Sequence, residues 1–321
     1  MEKRKLISFG SSSYIISIPK AWIRENKLKK GDLISLEERK DEIILSTAMH
    51  NHQEEPSQAV INLEDKDLQL AKSEITSAYL NNYDIIEIRG IKDKETTLAI
   101  KTLLRGLIGL EIIKQERGMI CVKDLLNMNE ISIETLIRRM DNIIRSMITD
   151  SIISLDENRS EEIYERDEEI NRLFFLIART IRAATKNNNL AKRMGLSSTD
   201  LLFTWFIANR MEKVGDLAKR IAREVWIVPL KKEDKTMIRQ KYEKLHQDYI
   251  EVMKSYYKRD RDIALRTEIR AREMIAECRH ALRENESAEL RNMIEYLLRM
   301  MSCIREITRG VISMENGAGK I

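Results

Sequence analysis

The sequence predicts a mainly α, multidomain protein: a small N-terminal β unit, a small α/β layer and a long C-terminal array of helices. Three observations carry that expectation. Chain breakers are scarce, because 321 residues hold only 3 Pro and 11 Gly, below the usual roughly 5% and 7%. Charged residues make up 34% and hydrophobic residues 43%, with 15 Met and only 5% aromatic residues. That balance suits long amphipathic helices and rules out both an all-β sandwich and a disordered chain. Finally, short β-rich runs dominate the first part of the chain, whereas from Ser132 onward apolar residues recur at three- and four-residue spacing, the period of a helix face.

Several classes of protein are disfavoured at this level. No apolar run approaches the roughly 18 residues that read as a membrane-spanning helix. The start, Met1-Glu2-Lys3-Arg4-Lys5, is basic but has no apolar stretch behind it, so it does not resemble a secretory signal. Cys121, Cys278 and Cys303 are scattered and form no CxxC pair, which argues against a zinc ribbon or a disulfide framework. The expectation is a soluble cytoplasmic protein without membrane insertion.

Residues 1–47 read as strands around one helical turn. Leu6–Phe9 and Tyr14–Ile18 are β-rich runs joined by Gly10-Ser11-Ser12-Ser13, Pro19 precedes a helical turn at Lys20–Asn26, and Leu33–Glu37 and Glu42–Ser46 form a hairpin across Arg39-Lys40-Asp41. A piece this small, with no disulfide or metal motif, has too little core to fold alone, so a second copy is expected to complete it. Residues 1–30 carry eight Lys or Arg against two acids, while the rest of the chain is balanced at 48 basic and 50 acidic residues. Such a local excess suits a polyanion such as duplex DNA, or is a solvated basic end.

Residues 48–58, with His50, His52 and Pro56, read as a linker, and without a third ligand nearby the two histidines are not read as a metal site. Residues 59–126 follow a βαβαββ order: a strand at Ala59–Leu63, a helix at Asp67–Leu80, a strand at Tyr83–Arg89, a helix at Lys94–Leu107, and strands at Leu110–Lys114 and Met119–Val122. That order implies a small layered α/β domain, with neither a phosphate loop nor an acid/base constellation. Residues 128–316 divide into six helices, with breaks near Asp156–Ser160, Asn187–Ser198, Val228–Lys231, Lys258–Asp262 and Arg283–Ser287. Asn158 with Glu161, and Ser197 with Asp200, have the spacing of helix-start caps, and Pro229 ends the third helix. Short links between long helices make neighbours antiparallel, and so produce bundles. Ile137, Met140, Ile144 and Met147, then Tyr242, Leu245, Tyr249 and Val252, then Ile294, Leu297, Met301 and Ile304, are core seams.

Two helices place acids in these registers. Asp167 falls in the stripe Ile163, Ile170, Phe174, Ile177, Ile181, and Glu212 and Asp216 continue the face of Leu202, Trp205 and Asn209. Like charges four residues apart repel, and desolvation would enlarge the cost. A cation shared by facing carboxylates removes it, as in bundle metal sites; ion pairs with neighbours such as Arg220 are the other reading. Carboxylates without Cys or His would favour Mg, Mn, Ca or iron over structural zinc.

The residues also carry two resemblances. Phe9-Gly10-Ser11-Ser12, Ile16-Ser17-Ile18-Pro19-Lys20-Ala21-Trp22 and Leu28-Lys29-Lys30-Gly31-Asp32-Leu33 resemble the SpoVT/AbrB swapped-hairpin DNA-binding family. That resemblance implies a β-barrel made by two interleaved chains. Lys3, Arg4, Lys5 and Lys20, with Ser11, Ser12 and Tyr14 on the adjoining loop, are then the candidate DNA contacts. Asp167-Glu168-Glu169-Ile170-Asn171 and Arg210-Met211-Glu212-Lys213-Val214-Gly215-Asp216 resemble the two signatures of the PhoU family, with Lys213 where that family often has Arg. The resemblance implies two three-helix bundles and a divalent metal or iron on Asp167, Glu212 and Asp216. In the second repeat Glu268 takes the register of Asp167, but Met301 and Arg305 replace the other two acids, so no metal is expected there.

The combination resembles the architecture of archaeal phosphate uptake regulators. It implies a homodimeric, DNA-binding transcriptional regulator of phosphate or related ion homeostasis, not an enzyme, with a metal-binding helical sensor and a phosphate-transport or signalling protein as a further partner. A signalling adaptor that inhibits a kinase or transporter, using the barrel only to dimerise, is the alternative. A di-metal carboxylate enzyme is disfavoured because none of the four histidines, at 50, 52, 246 and 280, lies in the register of Asp167, Glu212 and Asp216.

Overall fold

The computed structural model describes residues 3–39, 42–47, 56–228, 230–284 and 287–314. Sequence readings at the Lys40-Asp41 turn, at His50 and His52, at Pro229 and in the middle of the last inter-helix break lie outside these residues. The chain divides into two compact units, Met1–Pro56 and Ser57–Ile321.

In the first unit, β1 (Ile7–Phe9) and β2 (Ser13–Ile15) form an antiparallel hairpin with Ile7 opposite Ile15. Gly10 at its tip has φ +70°, a conformation that costs glycine little and other residues more. Helix α1 (Lys20–Glu25) follows Pro19. β3 (Ile34–Arg39) and β4 (Glu42–Thr47) make a second hairpin with Leu36 opposite Leu45. The strand expected at Tyr14–Ile18 ends at Ile15, because β1 supplies no partner beyond Ile7. The hairpins remain separate two-stranded sheets, so the described residues of one chain show no closed barrel. No residue of this unit for which burial is described is buried. Leu6, Phe9, Tyr14 and Leu33 are 70%, 65%, 71% and 81% exposed.

The second unit begins with a four-stranded sheet of order β5-β6-β8-β7, formed by β5 (Gln58–Asn62), β6 (Ile85–Arg89), β7 (Leu110–Glu116) and β8 (Met119–Asp124). β5 and β6 are parallel, and a parallel pair needs a crossover. Helix α2 (Leu68–Leu80) provides it, and α3 (Lys94–Arg105) joins β6 to β7. Asp67 and Asp93 cap the two helices by accepting from the amides of Leu70 and Thr96, each at 2.7 Å. Ile61, Ile75, Ile86, Ile88, Ile100, Ile120 and Val122 are buried between sheet and helices.

The helices are α4 (Ile133–Ile153), α5 (Ser160–Lys186), a short α6 (Asn188–Arg193), α7 (Ser198–Ile227), α8 (Lys232–Lys258), α9 (Arg261–Glu284) and α10 (Ala288–Ser313). The anticipated six long helices are present, and α6 occupies part of the expected break between the second and third. Ser197 and Asp200 form a reciprocal capping box at the start of α7. Asn158 does not cap α5. Its side chain instead accepts from the amide of Ser160, two residues on, at 3.0 Å, a local turn that competes with capping.

Helices α4, α5 and α7 pack as one three-helix bundle and α8, α9 and α10 as another, joined along α7–α10 and α4–α8. One continuous core runs through both bundles, and the seam residues read from the sequence on α4, α8 and α10 lie in it. Among the described residues no helix is long and apolar enough to cross a membrane.

The sheet layer meets the bundle through a buried arginine. Arg179 of α5 is fully buried and donates from Nη2 to Asp124 at 2.6 Å and from Nε to Asn82 at 3.1 Å. The Asn82 amide returns a bond to the Arg179 carbonyl at 3.2 Å, and the guanidinium lies 4.3 Å above the Tyr79 ring. Asn82 sits at φ +62°, where Asn is better tolerated than most residues. Removing one partner of a buried ion pair strands the other. Arg179→Met is therefore expected to cost about 3–5 kcal/mol in chemical denaturation. Adding Asp124→Leu should recover part of that loss, because the stranded charge goes too; equal stability of Arg179→Met and wild type would count against this joint.

Candidate functional site

The N-terminal candidates are all exposed: Lys3, Arg4, Lys5, Ser11, Ser12, Tyr14 and Lys20. They fall at two ends of one hairpin. Arg4 Nη1 donates to Ser17 Oγ at 3.4 Å, so the basic run lies beside the segment that leads through Pro19 to Lys20, the first residue of α1. Ser11 and Ser12 occupy the opposite tip, about 15 Å away along the extended strand. There Ser13 Oγ donates to the Phe9 carbonyl at 2.6 Å and holds the turn closed. The basic run thus lies beside the Ser17–Lys20 segment, and the serine tip lies apart from it within one chain.

The helical candidates depend on how closely α5 and α7 approach. A Cβ at Gly215 of α7 would lie 2.8 Å from Ile170 Cδ1 of α5, so glycine is what lets the helices meet at this level. One turn from Ile170, Asp167 is buried at 6% exposure. Beside Gly215, Asp216 is half-buried. The face that runs through Leu202, Trp205, Asn209, Glu212 and Asp216 is not the core face of α7. Leu202 and Trp205 are 60% and 43% exposed, and the buried face runs through Leu201, Ala208, Met211, Gly215 and Ala218.

The cation between the acids is a lysine. Lys219 Nζ donates to Asp167 Oδ2 at 2.6 Å and stands 3.2 Å from Asp216 Oδ1. Asp167 Oδ2 also accepts from Asn171 at 3.4 Å, and Asp216 Oδ2 accepts from Arg220 Nε at 3.1 Å. Glu212 pairs with its neighbour Lys213 at 3.1 Å. Burial works against the charge on Lys219, but its bonds to Asp167 and Asp216 outweigh that and hold its pKa above the ordinary value. Among the described residues no group of three or more His, Cys, Asp or Glu side chains is placed to hold a metal ion. In this conformation Asp167 and Asp216 share an internal ammonium and Glu212 is paired with Lys213, so the three carboxylates are not gathered about one point.

The second bundle repeats this solution. Glu268 of α9, at 8% exposure, accepts from Arg305 Nε on both oxygens, at 2.9 and 3.1 Å, and from Thr308 Oγ1 at 3.3 Å. The arginine read in that register is the partner. Lys219 is the functional side chain that sequence reasoning misses. Its link to Asp216 is visible as an i,i+3 pair, whereas its reach across to Asp167 depends on the approach of two helices.

Residues 137–225 match the PhoU domain, and residues 7–51 match MazE, described as antidote-toxin recognition, bacterial antitoxin. The chain thus carries a PhoU domain behind a MazE/AbrB-like N-terminal domain. Among solved structures it is similar to PhoU from Pseudomonas aeruginosa, with 16% identity over 56% of this chain and 93% of that one and a TM-score of 0.46. No curated protein matches the chain.

Lys219→Met removes the shared cation and leaves Asp167 buried without it. A loss of about 2–3 kcal/mol is expected, slightly below the cost of breaking a fully buried pair because Lys219 is partly exposed. The wild-type melting temperature should not move on adding EDTA or magnesium. A chelator-induced drop in the wild type, with metal found by elemental analysis, would show that the carboxylates hold a metal after all.

Proposed function

We propose that the chain is a dimeric DNA-binding regulator tied to phosphate, or related ion, homeostasis. Its N-terminal unit pairs with that of a second copy to hold duplex DNA, and its PhoU-containing unit acts as sensor or effector. The observation that most supports this reading is the N-terminal unit itself, in which basic residues adjoin exposed apolar side chains and no residue of described burial is buried. Exposed contiguous apolar surface is a mark of an interaction site, and a hairpin pair of this size gains a core when a like unit covers it. The basic edge is set to contact phosphates, which positions a protein on DNA without reading sequence. The PhoU domain supplies the link to phosphate.

A second reading keeps the PhoU-containing unit as an adaptor for a kinase or transporter and gives the N-terminal unit a protein partner. It is favoured by the MazE match, whose description concerns recognition of a toxin. A gel shift at graded salt separates the two, because only the regulator binds duplex DNA at moderate ionic strength. Genome-wide occupancy with and without phosphate then tests the physiological link.

Two outcomes are expected. Light scattering of the full chain at micromolar concentration should give at least a dimer; a monomer whose N-terminal unit is still folded would defeat the pairing. Lys3→Ala, Arg4→Ala and Lys5→Ala together should weaken binding to all duplex sequences. They should also reduce the slope of log affinity against log salt by about 0.9 for each phosphate that is no longer neutralised. An unchanged slope would make the basic edge a solvated surface.

A further inference from the structure

Between α4 and α8 lies a groove of about 540 Å³ that the reading above leaves unused. Ligand pockets commonly span about 300–1,000 Å³. Its α4 wall carries Arg138, Asp141 and Arg145, and its α8 wall carries Lys254, Tyr257 and Lys258. Residues spaced by three, four and seven positions share one helix face, so each wall is a single stripe. The lining thus holds four cations and a single acid.

That acid is spent inside the protein. Asp141 is 2% exposed and takes a two-pronged bond from Arg145, Nε to Oδ1 at 2.9 Å and Nη2 to Oδ2 at 2.8 Å. Tyr257 donates to the same Oδ2 at 2.9 Å. Both carboxylate oxygens therefore fix groove side chains and add little negative field outward. Arg138 lies 4.2 Å above the Tyr257 ring, which fixes its plane. Its carboxylate partner, Glu134, is 69% exposed, and Lys254 stands 3.5 Å from Glu251. The exposed Arg138–Glu134 pair is worth about 0–1 kcal/mol, so an incoming anion can displace it, and Lys254 is itself exposed beside the half-buried Glu251. Lys258, the last residue of α8, lies exposed on the rim.

We infer that this groove is a binding site for a phosphate-class oxyanion, held by Arg138 and Arg145 with Lys254 and Lys258 at the mouth. Planar guanidinium groups match the oxygens of a tetrahedral anion, and lysines add point charge. Arg145 and Asp141 neutralise each other and leave Arg145 only its remaining N–H groups to offer, but Arg138, Lys254 and Lys258 keep the lining net positive, which favours a multiply charged ligand over a single carboxylate. The site is separate from the Asp167–Lys219 pair and does not depend on what the N-terminal unit binds.

Calorimetric titration of the full chain at constant ionic strength tests it, with three probes: inorganic phosphate, tripolyphosphate and ATP. Saturable binding of at least one probe is expected, and the tightest identifies whether the phosphoryl group comes from free phosphate, a chain or a nucleotide. Lys254→Gln with Lys258→Gln, both outside the core, should weaken it at least tenfold, since each charge-assisted bond removed is worth about a factor of ten. Arg138→Gln should weaken it similarly while leaving the melting temperature of the unliganded protein in place. The same variants should leave the DNA gel shift unchanged, so failure here is distinguishable from failure of the regulator reading. No binding of any probe at millimolar concentration, or equal binding by wild type and the double variant, overturns the site.

Discussion

Helix α7 has to pack against α4, α5 and α10 at once, and the helical unit depends on that constraint. A helix with large side chains all round would hold its neighbours toward the wide end of the usual roughly 8–10 Å spacing. α7 solves the problem at two levels. Gly215 admits Ile170 of α5, and on its other side Ile207 meets Gly310 of α10, where a Cβ would stand 3.2 Å from Ile207 Cγ1. Small residues on one helix take the branched side chains of the next. The outcome is one core through both bundles, where the same helices spaced more widely would leave two thinner ones.

The close approach also decides the electrostatics. Bringing α7 onto α5 buries Asp167 and brings Asp216 near it, so a positive charge is needed at that level. The chain provides it from its own side chains in both bundles, as an ammonium in the first and a guanidinium in the second. These are different solutions to one requirement. The lysine stem reaches across a helix pair and ends in a compact charge shared by two acids, whereas the arginine shares its Nε–H between both oxygens of the single acid Glu268.

Much of this architecture is legible in the amino-acid sequence. The order of strands and helices follows from where apolar residues alternate and where they recur at helical spacing, and the capping box at Ser197 and Asp200 follows from their spacing alone. Asp167 falls on a core stripe because its neighbours Ile163 and Ile170 set the phase. The face of Glu212 and Asp216 is harder. Leu202 and Trp205 are apolar and share that face, yet they lie outward, since the true core face of α7 is made partly of Ala and Gly and has a weak hydrophobic signature. Asn158 misleads for a related reason: an Asn can serve a turn or a cap with the same side chain. The partner of Asp167 is not legible at all, because Lys219 lies 52 residues away in sequence and meets it only once the helices have packed.

If the N-terminal unit pairs with a like unit as proposed, the lack of buried residues among those described has a consequence in mass action. A surface that becomes an interior only when a like chain arrives is stabilised by that chain as by any ligand, through its concentration relative to a dissociation constant. In such a system the fraction of folded N-terminal ends rises with the amount of protein present. Unpaired chains then keep strand edges that are open to proteolysis and to pairing with other strands. Abundance itself then becomes an input: halving the protein lowers the concentration of paired ends by up to about fourfold, with no change at any ligand-binding site.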